Sequence, residues 1–186
     1  NLFQGPAPRR KYTHDTWDYN WRWYGWDYGT GEAGNNATHE LDIARWALEV
    51  DYPNDVSVFA QKNHFIDDGW TMYDNMEAKF KFSKNKSINW NGRSRNAFGK
   101  NRDGGRGTII YGTEGSVFIN RKEYILYDIK GNVIDNVKSN DNESGIALGG
   151  GGDMTTRHMQ NFVDSIRHGD TLNSPIDDAV ISQSLV

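Results

Sequence analysis

Apolar residues recur at helical spacing between positions 37 and 50. Leu41, Ala44 and Leu48, with Ile43, Trp46, Ala47 and Val50 beside them, give one broad apolar face. Asn35 or Asn36 is placed to cap the start of this helix, because a short polar side chain accepts a bond from a free backbone N–H. Asp51-Tyr52-Pro53 is placed to end it. Beyond residue 54 the period changes to two. Segments 55–62, 75–83, 86–92, 107–113, 115–121 and 123–129 alternate, or are rich in β-branched and aromatic residues. Tight turns at 83–86, 112–115, 120–123 and 129–132 separate several of them. The spacing after residue 74 leaves no room for crossover helices, so these strands should pair antiparallel. Helical spacing returns over 153–168, where Met159, Phe162, Val163 and Ile166 predict a buried stripe and Gly169 a stop. Pro175, Asp177 and Asp178 open a last helix that reads as truncated at Val186. The sum is an α+β fold, an open and mostly antiparallel sheet of about six strands with helices packed on one face.

The 186 residues suffice for one domain with a core. Hydrophobic residues make up only 36%, yet 13% of the chain is aromatic, which argues against disorder. The first 34 residues lack any regular period and read as an ordered, aromatic-packed loop. Residues 139–152 read as a flexible glycine-rich loop. A net charge of −4 gives no general attraction to nucleic acid or to anionic lipid. With no cysteine there is no disulfide and no thiolate metal site. That fits a cytoplasmic protein and leaves a periplasmic one open. No apolar run reaches the length of a membrane span. Asn1 in place of a starting methionine suggests a piece of a longer protein.

Gly29-Thr-Gly31-Glu-Ala-Gly34 spells the G-x-G-x-x-G of a dinucleotide site, with Asp51 about 20 residues on. Such a motif works through its setting. A buried parallel strand must lead into it, and the helix must begin inside it so that free amides meet a pyrophosphate. The residues before it, "NWRWYGWDY", are no central strand. The helix reads as starting after Gly34, and Asp51 ends that same helix. The motif is therefore read as chance, and no cofactor-binding residue is assigned to this chain. "GGGG" at 149–152 fails in the same way.

Four segments in order, "FQGPAPRR", "GTGEAGNNATHELDIARWALEVDYP", "YGTEGSVFINR" and "HMQNFVDSIRHGDTLNSPIDDAV", resemble the C-terminal domain of the Gfo/Idh/MocA family, which includes glucose–fructose oxidoreductase and inositol dehydrogenase. The likeness covers nearly the whole chain. It implies the dihydrodipicolinate reductase-like α+β fold for residues 1–186 as a single substrate-binding and oligomerisation domain. It also implies a missing N-terminal Rossmann domain that holds NAD or NADP and supplies a catalytic lysine. The crossover from that domain would lie at Gly5-Pro6-Ala7-Pro8. The resemblance further implies a homo-oligomer through the sheet face and a sugar or polyol substrate.

Members of the family commonly carry Asp-x-x-x-His at the start of the first helix, and the histidine matches His39. A hydride leaves an alcohol carbon only if the hydroxyl proton leaves too, and imidazole suits that transfer. Capping or packing is the alternative for His39. The position four before it is Asn35, which can orient an imidazole or hold a sugar hydroxyl but cannot raise basicity as a carboxylate does. Glu32 is a candidate helper, against a solvated loop role. Trp21, Arg22, Trp23, Asn36 and His158 are candidate substrate contacts. The rings suit the flat C–H faces of sugars and the guanidinium suits hydroxyls or a carboxylate. A satellite core is the alternative for the rings, and a helix cap for Asn36. Arg93, Arg95, Lys100, Arg102 and Arg106 form a basic run that suits a phosphate, an acidic sugar or a hairpin face in solvent. His14, His64 and His168 have no partners at metal spacing, so no metal is assigned.

The leading expectation is the substrate domain of an NAD(P)-dependent sugar or polyol dehydrogenase, inactive in isolation. A redox glycosidase of the same family and a stand-alone carbohydrate-binding module are the two alternatives.

Overall fold

The computed structural model describes residues 4–11, 19–95, 106–138 and 152–186. They fall into two compact units, Asn1–Asn101 with Ile181–Val186, and Arg102–Val180. Lys100, Arg102 and His14, and the glycine loop up to Gly151, lie outside the described residues.

The first unit is built on an antiparallel sheet in chain order, β1 (Asp55–Gln61), β2 (Asn75–Lys81) and β3 (Ser87–Arg93). Phe80 lies opposite Val56 and Ile88, and Ala78 opposite Val58 and Trp90. Opposed residues share a face, so the period of two collects these apolar side chains on one side. Helix α1 (Thr38–Leu48) lays Leu41 and Ala44 on that side, and Ala37, Phe82 and Leu185 complete the core. Full burial of a side chain such as Leu41 contributes about 1.5–3 kcal/mol. The other face is polar, and Arg93 bonds Glu77 across it at 3.3 Å. Lys84 and Asn85, at φ 58° and 57°, make the tight β2–β3 turn.

Two expectations for this helix change. The helical run begins at Gly31, inside the glycine motif, and passes through a π-helical turn at Ala33–Ala37 before α1. Asn35 and Asn36 therefore lie within the run and do not cap it. A helix start inside the motif meets one requirement of a dinucleotide site, but among the described residues a 3₁₀ turn, Tyr19–Trp23, leads into the motif where a strand is required. The broad apolar face also divides. Its Leu41–Ala44 row is buried, while Trp46 is 71% exposed and Ile43 is exposed beside it. A stripe wider than one sheet face covers leaves its second row outside. The helix ends at Leu48 by placing Glu49 in the left-handed region at φ 49°, ahead of Pro53.

Arg45 is buried in α1. Its Nε donates to Ser182 Oγ at 2.8 Å and its Nη1 to the Val50 carbonyl at 2.9 Å, while the Ser182 hydroxyl donates to Asp42. Charge-assisted bonds of this kind hold the last residues against the first helix.

The second unit carries a four-stranded antiparallel meander, β4 (Thr108–Tyr111), β5 (Gly115–Ile119), β6 (Glu123–Asp128) and β7 (Val133–Lys138). Asn120 and Asp128 accept backbone N–H bonds in the two later turns, and Gly131 supplies φ 84°. The fold class is α+β as expected, but among the described residues seven strands hydrogen-bond as two sheets. The 94–107 link is far longer than a hairpin turn, so each meander closes on its own. Strand β7 is an addition. Its register shifts between Leu126 and Tyr127, and the bulge breaks the alternation that marks strands in the sequence.

Helix α2 (Gly152–His168) stops where expected, at Gly169 with φ 77°. Its apolar stripe is not buried. Met159, Phe162 and Ile166 are exposed, because the half-buried side of the helix is the one bearing Asn161, Val163 and Ser165. Helix α3 spans Ile176–Gln183, and the backbone N–H groups of Ser184, Leu185 and Val186 donate to the carbonyls of Ile181, Ser182 and Gln183.

Candidate functional site

The residues expected to do chemistry gather where the helical run begins. A π-helical turn adds one residue to the helix and displaces the side chains around it, a feature frequent at functional sites. Here the Thr38 N–H reaches back to the Ala33 carbonyl. Two pairs at helical spacing straddle the turn, Glu32 with Asn36 and Asn35 with His39. The Asn36 amide donates to Glu32 Oε1. His39 is exposed and sits more than two turns into the helical run.

Glu32 is the hub. Ser94, just past β3, donates its hydroxyl to Glu32 Oε2 at 3.0 Å, and the Trp23 indole N–H donates to Ser94 Oγ at 3.0 Å. The Trp23 ring is buried and stacks on Trp70, centroids 4.9 Å apart. The other partner of Trp70 is Arg95, whose guanidinium lies 3.5 Å from the ring centroid. Arg95 and Lys62 both bond Asp68. Thr71 and Met72 donate their backbone N–H groups to the Trp23 carbonyl, each at 3.0 Å. The β1–β2 connection, the aromatic loop and the end of β3 thus converge on the start of the helix.

Burial pushes the Asp68 carboxyl up, but the bonds from Lys62, Arg95 and the Trp70 backbone outweigh it and hold the group below its ordinary value. Asp74 behaves alike. Burial raises it, while backbone N–H bonds from Asn63 and His64, at 2.9 and 2.8 Å, and the nearby His64 imidazole bring it down. Both are acids held ionised by donors.

Two of the remaining candidates turn to one another. Arg22 stacks over Trp21, 4.4 Å from its centroid. His158 is an exposed residue of α2, in the second unit. Arg93 and Arg95 of the basic run are spent on Glu77 and Asp68. The glycine motif serves packing. A Cβ on Gly29 would lie 2.8 Å from Arg22 Cα and one on Gly31 2.9 Å from Met72 Cβ, so those glycines already face protein where a pyrophosphate would have to approach. No local pattern marks Ser94 or Trp70, since Ser94 meets Glu32 and Trp23 across 62 and 71 positions and Trp70 stacks on Trp23 from a different loop.

No group of three His, Asp or Glu side chains among the described residues is placed to hold a metal ion. No helix among them is long and apolar enough to cross a membrane.

Residues 7–186 match the family described as the oxidoreductase family, C-terminal alpha/beta domain. No protein of curated function matches the chain in sequence. Among solved structures, levoglucosan dehydrogenase in complex with NADH and levoglucosan is similar over 89% of this chain and 50% of its own, with TM-score 0.63 and 19% identity. An NAD binding oxidoreductase from Klebsiella pneumoniae is similar over 98% of this chain and 51% of its own, with TM-score 0.60 and 18% identity. An oxidoreductase from Agrobacterium radiobacter, in complex with NAD+, L-tartaric acid and magnesium, gives TM-score 0.59 at 14% identity over 83% of this chain and 45% of its own. The chain spans about half the length of these structures.

Proposed function

Because this chain belongs to the Gfo/Idh/MocA oxidoreductase family as its C-terminal alpha/beta domain, we propose that it is the substrate-binding half of an NAD(P)-dependent sugar or polyol dehydrogenase. The observation that carries this reading is the placement of His39 and Asn35 beside the Glu32 hub at the π-helical turn. An exposed imidazole on a helix fixed to a packed sheet can take the proton of a substrate hydroxyl. Asn35, four positions earlier, is placed to bind a neighbouring hydroxyl or to orient the ring. Asn36 and Ser94 anchor Glu32 and so keep the helix start in one conformation. NAD or NADP, when bound, takes the hydride. The glycine motif of this chain does not fit a dinucleotide, so the cofactor belongs to the Rossmann domain that such domains accompany in the family, and a homo-oligomer is the expected assembly. Levoglucosan dehydrogenase, one of the similar structures, supports the sugar class.

The test is nicotinamide reduction across a panel of sugars and polyols, by the protein together with its dinucleotide-binding domain. The His39→Asn variant should lower kcat about 100-fold or more, the scale of general base catalysis. Undiminished turnover would remove His39 from the mechanism. Asn35 in place of a carboxylate favours a second reading, a redox glycosidase. It is distinguished by release of an aglycone with no net change in NADH.

A further inference from the structure

Residues 62–74 join β1 to β2 without helix or strand, so the carbonyls along them need partners of another kind. Three of these carbonyls converge on one side chain. The Lys62 ammonium lies 3.2 Å from the Ile66 carbonyl oxygen, 3.4 Å from that of Asp68 and 2.6 Å from that of Trp70. Asp68 Oδ1, at 2.8 Å, is a fourth oxygen. An ammonium carries three N–H donors, so four oxygens around it form a cage of the kind that surrounds an ion, not a set of single bonds. The backbone is bent to build this cage. Phe65 stands at φ 49°, in the left-handed region, which a bulky residue keeps only where its surroundings hold it. Asp68 locks the bend, donating its N–H to the Phe65 carbonyl at 3.0 Å and accepting the Trp70 N–H on Oδ1 at 3.0 Å.

The cage suits a large ion of single charge. Its oxygens stand 2.6 to 3.4 Å from the ammonium nitrogen, beyond the about 2.0–2.1 Å that magnesium requires and at or past the edge of the about 2.3–2.6 Å of calcium. The three carbonyls are neutral, and the one carboxylate is shared with Arg95, which bonds its other oxygen. Converging carbonyl oxygens of this kind replace the water shell of potassium in channel filters.

We propose that the 62–70 loop is a monovalent-cation site whose ion is built into the chain as the Lys62 ammonium, and that free ammonium or potassium takes the same place when the side chain stops short of it. The site seats Trp70. The Trp70 carbonyl makes the shortest contact with the ammonium, and the Trp70 ring stacks on Trp23, whose indole N–H holds the Ser94 hydroxyl that donates to Glu32. Lys62 is thus a positioning residue, acting through Trp70 on the start of the helical run. The site uses no contact of His39, so it is independent of the reaction assigned to that residue. A compact point charge is what the cage needs, and the planar, wider guanidinium of an arginine does not match it.

Lys62→Met keeps the apolar stem and ends one atom short of the ammonium, so it empties the cage without cutting the stem away. Fluorine resonances of the protein labelled with fluorotryptophan, together with its dinucleotide-binding domain, read the seat directly. The Trp70 signal is assigned by its loss in Trp70→Phe. In Lys62→Met that signal should leave the parental position. Ammonium or potassium chloride should return it, saturably, while choline chloride at the same ionic strength does not, because screening of surface charge is alike for all three salts. Lys62→Arg should stay displaced. In the parent protein the cage is filled, so none of the salts moves the signal. A Trp70 signal at the parental position in salt-free Lys62→Met would overturn the proposal. So would a return driven equally by choline, or no return with ammonium and potassium. If Lys62→Met does not fold, the parent protein decides by mass spectrometry. Lys62 should then react with acetic anhydride about tenfold or more slowly than the exposed Lys79 and Lys130, and equal rates would overturn the proposal.

Discussion

The Ser94 hydroxyl donates to Glu32 Oε2 over 3.0 Å and ties the end of β3 to the start of the helical run 62 residues earlier. Asn36 donates to the other oxygen of the same carboxylate. Removing the carboxylate leaves these donors facing no acceptor in a half-buried site. Glu32→Ala should cost about 1–3 kcal/mol in urea unfolding, and Ser94→Ala about 1 kcal/mol. The double variant should lose less than the sum, with a coupling of about 0.5 kcal/mol or more. Strict additivity would separate the two residues.

The glycines of the motif at 29–34 should differ in tolerance according to what surrounds them. A methyl on Gly29 meets the Arg22 main chain, which cannot rotate away, so Gly29→Ala should lower stability by about 1–3 kcal/mol. A methyl on Gly34 meets only the hydroxyl end of Thr30, a side chain that can turn. Gly34→Ala also gains helix propensity, up to about 1 kcal/mol, and should unfold no earlier than the parent protein. Thermal scans of the two variants make the comparison.

Arg45 is almost fully buried, and its bonds reach Ser182 and the Val50 carbonyl. Arg45→Ala leaves those acceptors without their charged donor, at a cost of roughly 3 kcal/mol. Amide exchange should then rise first in residues 181–186, which lose their anchor, before it rises in β2. Uniform exchange would mean that the tail is held by Leu185 packing alone.

Acid should loosen the loop between β1 and β2. The folded Asp74 carboxyl titrates below its unfolded value of 3.8. Its contribution is therefore complete above that value and is lost as pH falls through it toward the folded pKa. The unfolding midpoint of the parent protein should drop on acidification below about pH 4, and Asp74→Asn should show a shallower drop from a lower start. Equal acid slopes for the two proteins would assign the loss to other carboxylates.

What could be read from the sequence was what local spacing encodes. The period of two found β1 to β6, and Gly169 marked the end of α2. Strand β7 escaped because Ile134 bulges out of register. The two stripes judged buried, through Ile43 and Trp46 and through Met159, Phe162 and Ile166, were sound as helical periods. Periodicity tells which face of a helix is apolar, not what covers it. Asn35 and Asn36 resembled caps because a π-helical turn has no signature distinct from a helix start. His39 and Asn35 were visible as a spaced pair and Glu32 as a candidate helper, but the partners that make Glu32 a hub were not. Ser94 and Trp70 reach it only when the chain has folded back over tens of residues.

The bond between Ser182 and Arg45 also sets an order of events in time. The first unit is discontinuous, made of residues 1–101 and 181–186 with the second unit between. During synthesis the meander of β4 to β7 has all its strands before the residues that seal α1 have been made. Until then Arg45 lacks Ser182, and the core around Leu41 lacks Leu185. Contacts spanning about 140 positions close a loop late and slowly. A ribosome pausing before residue 181 would therefore hold a finished sheet beside an unsealed one.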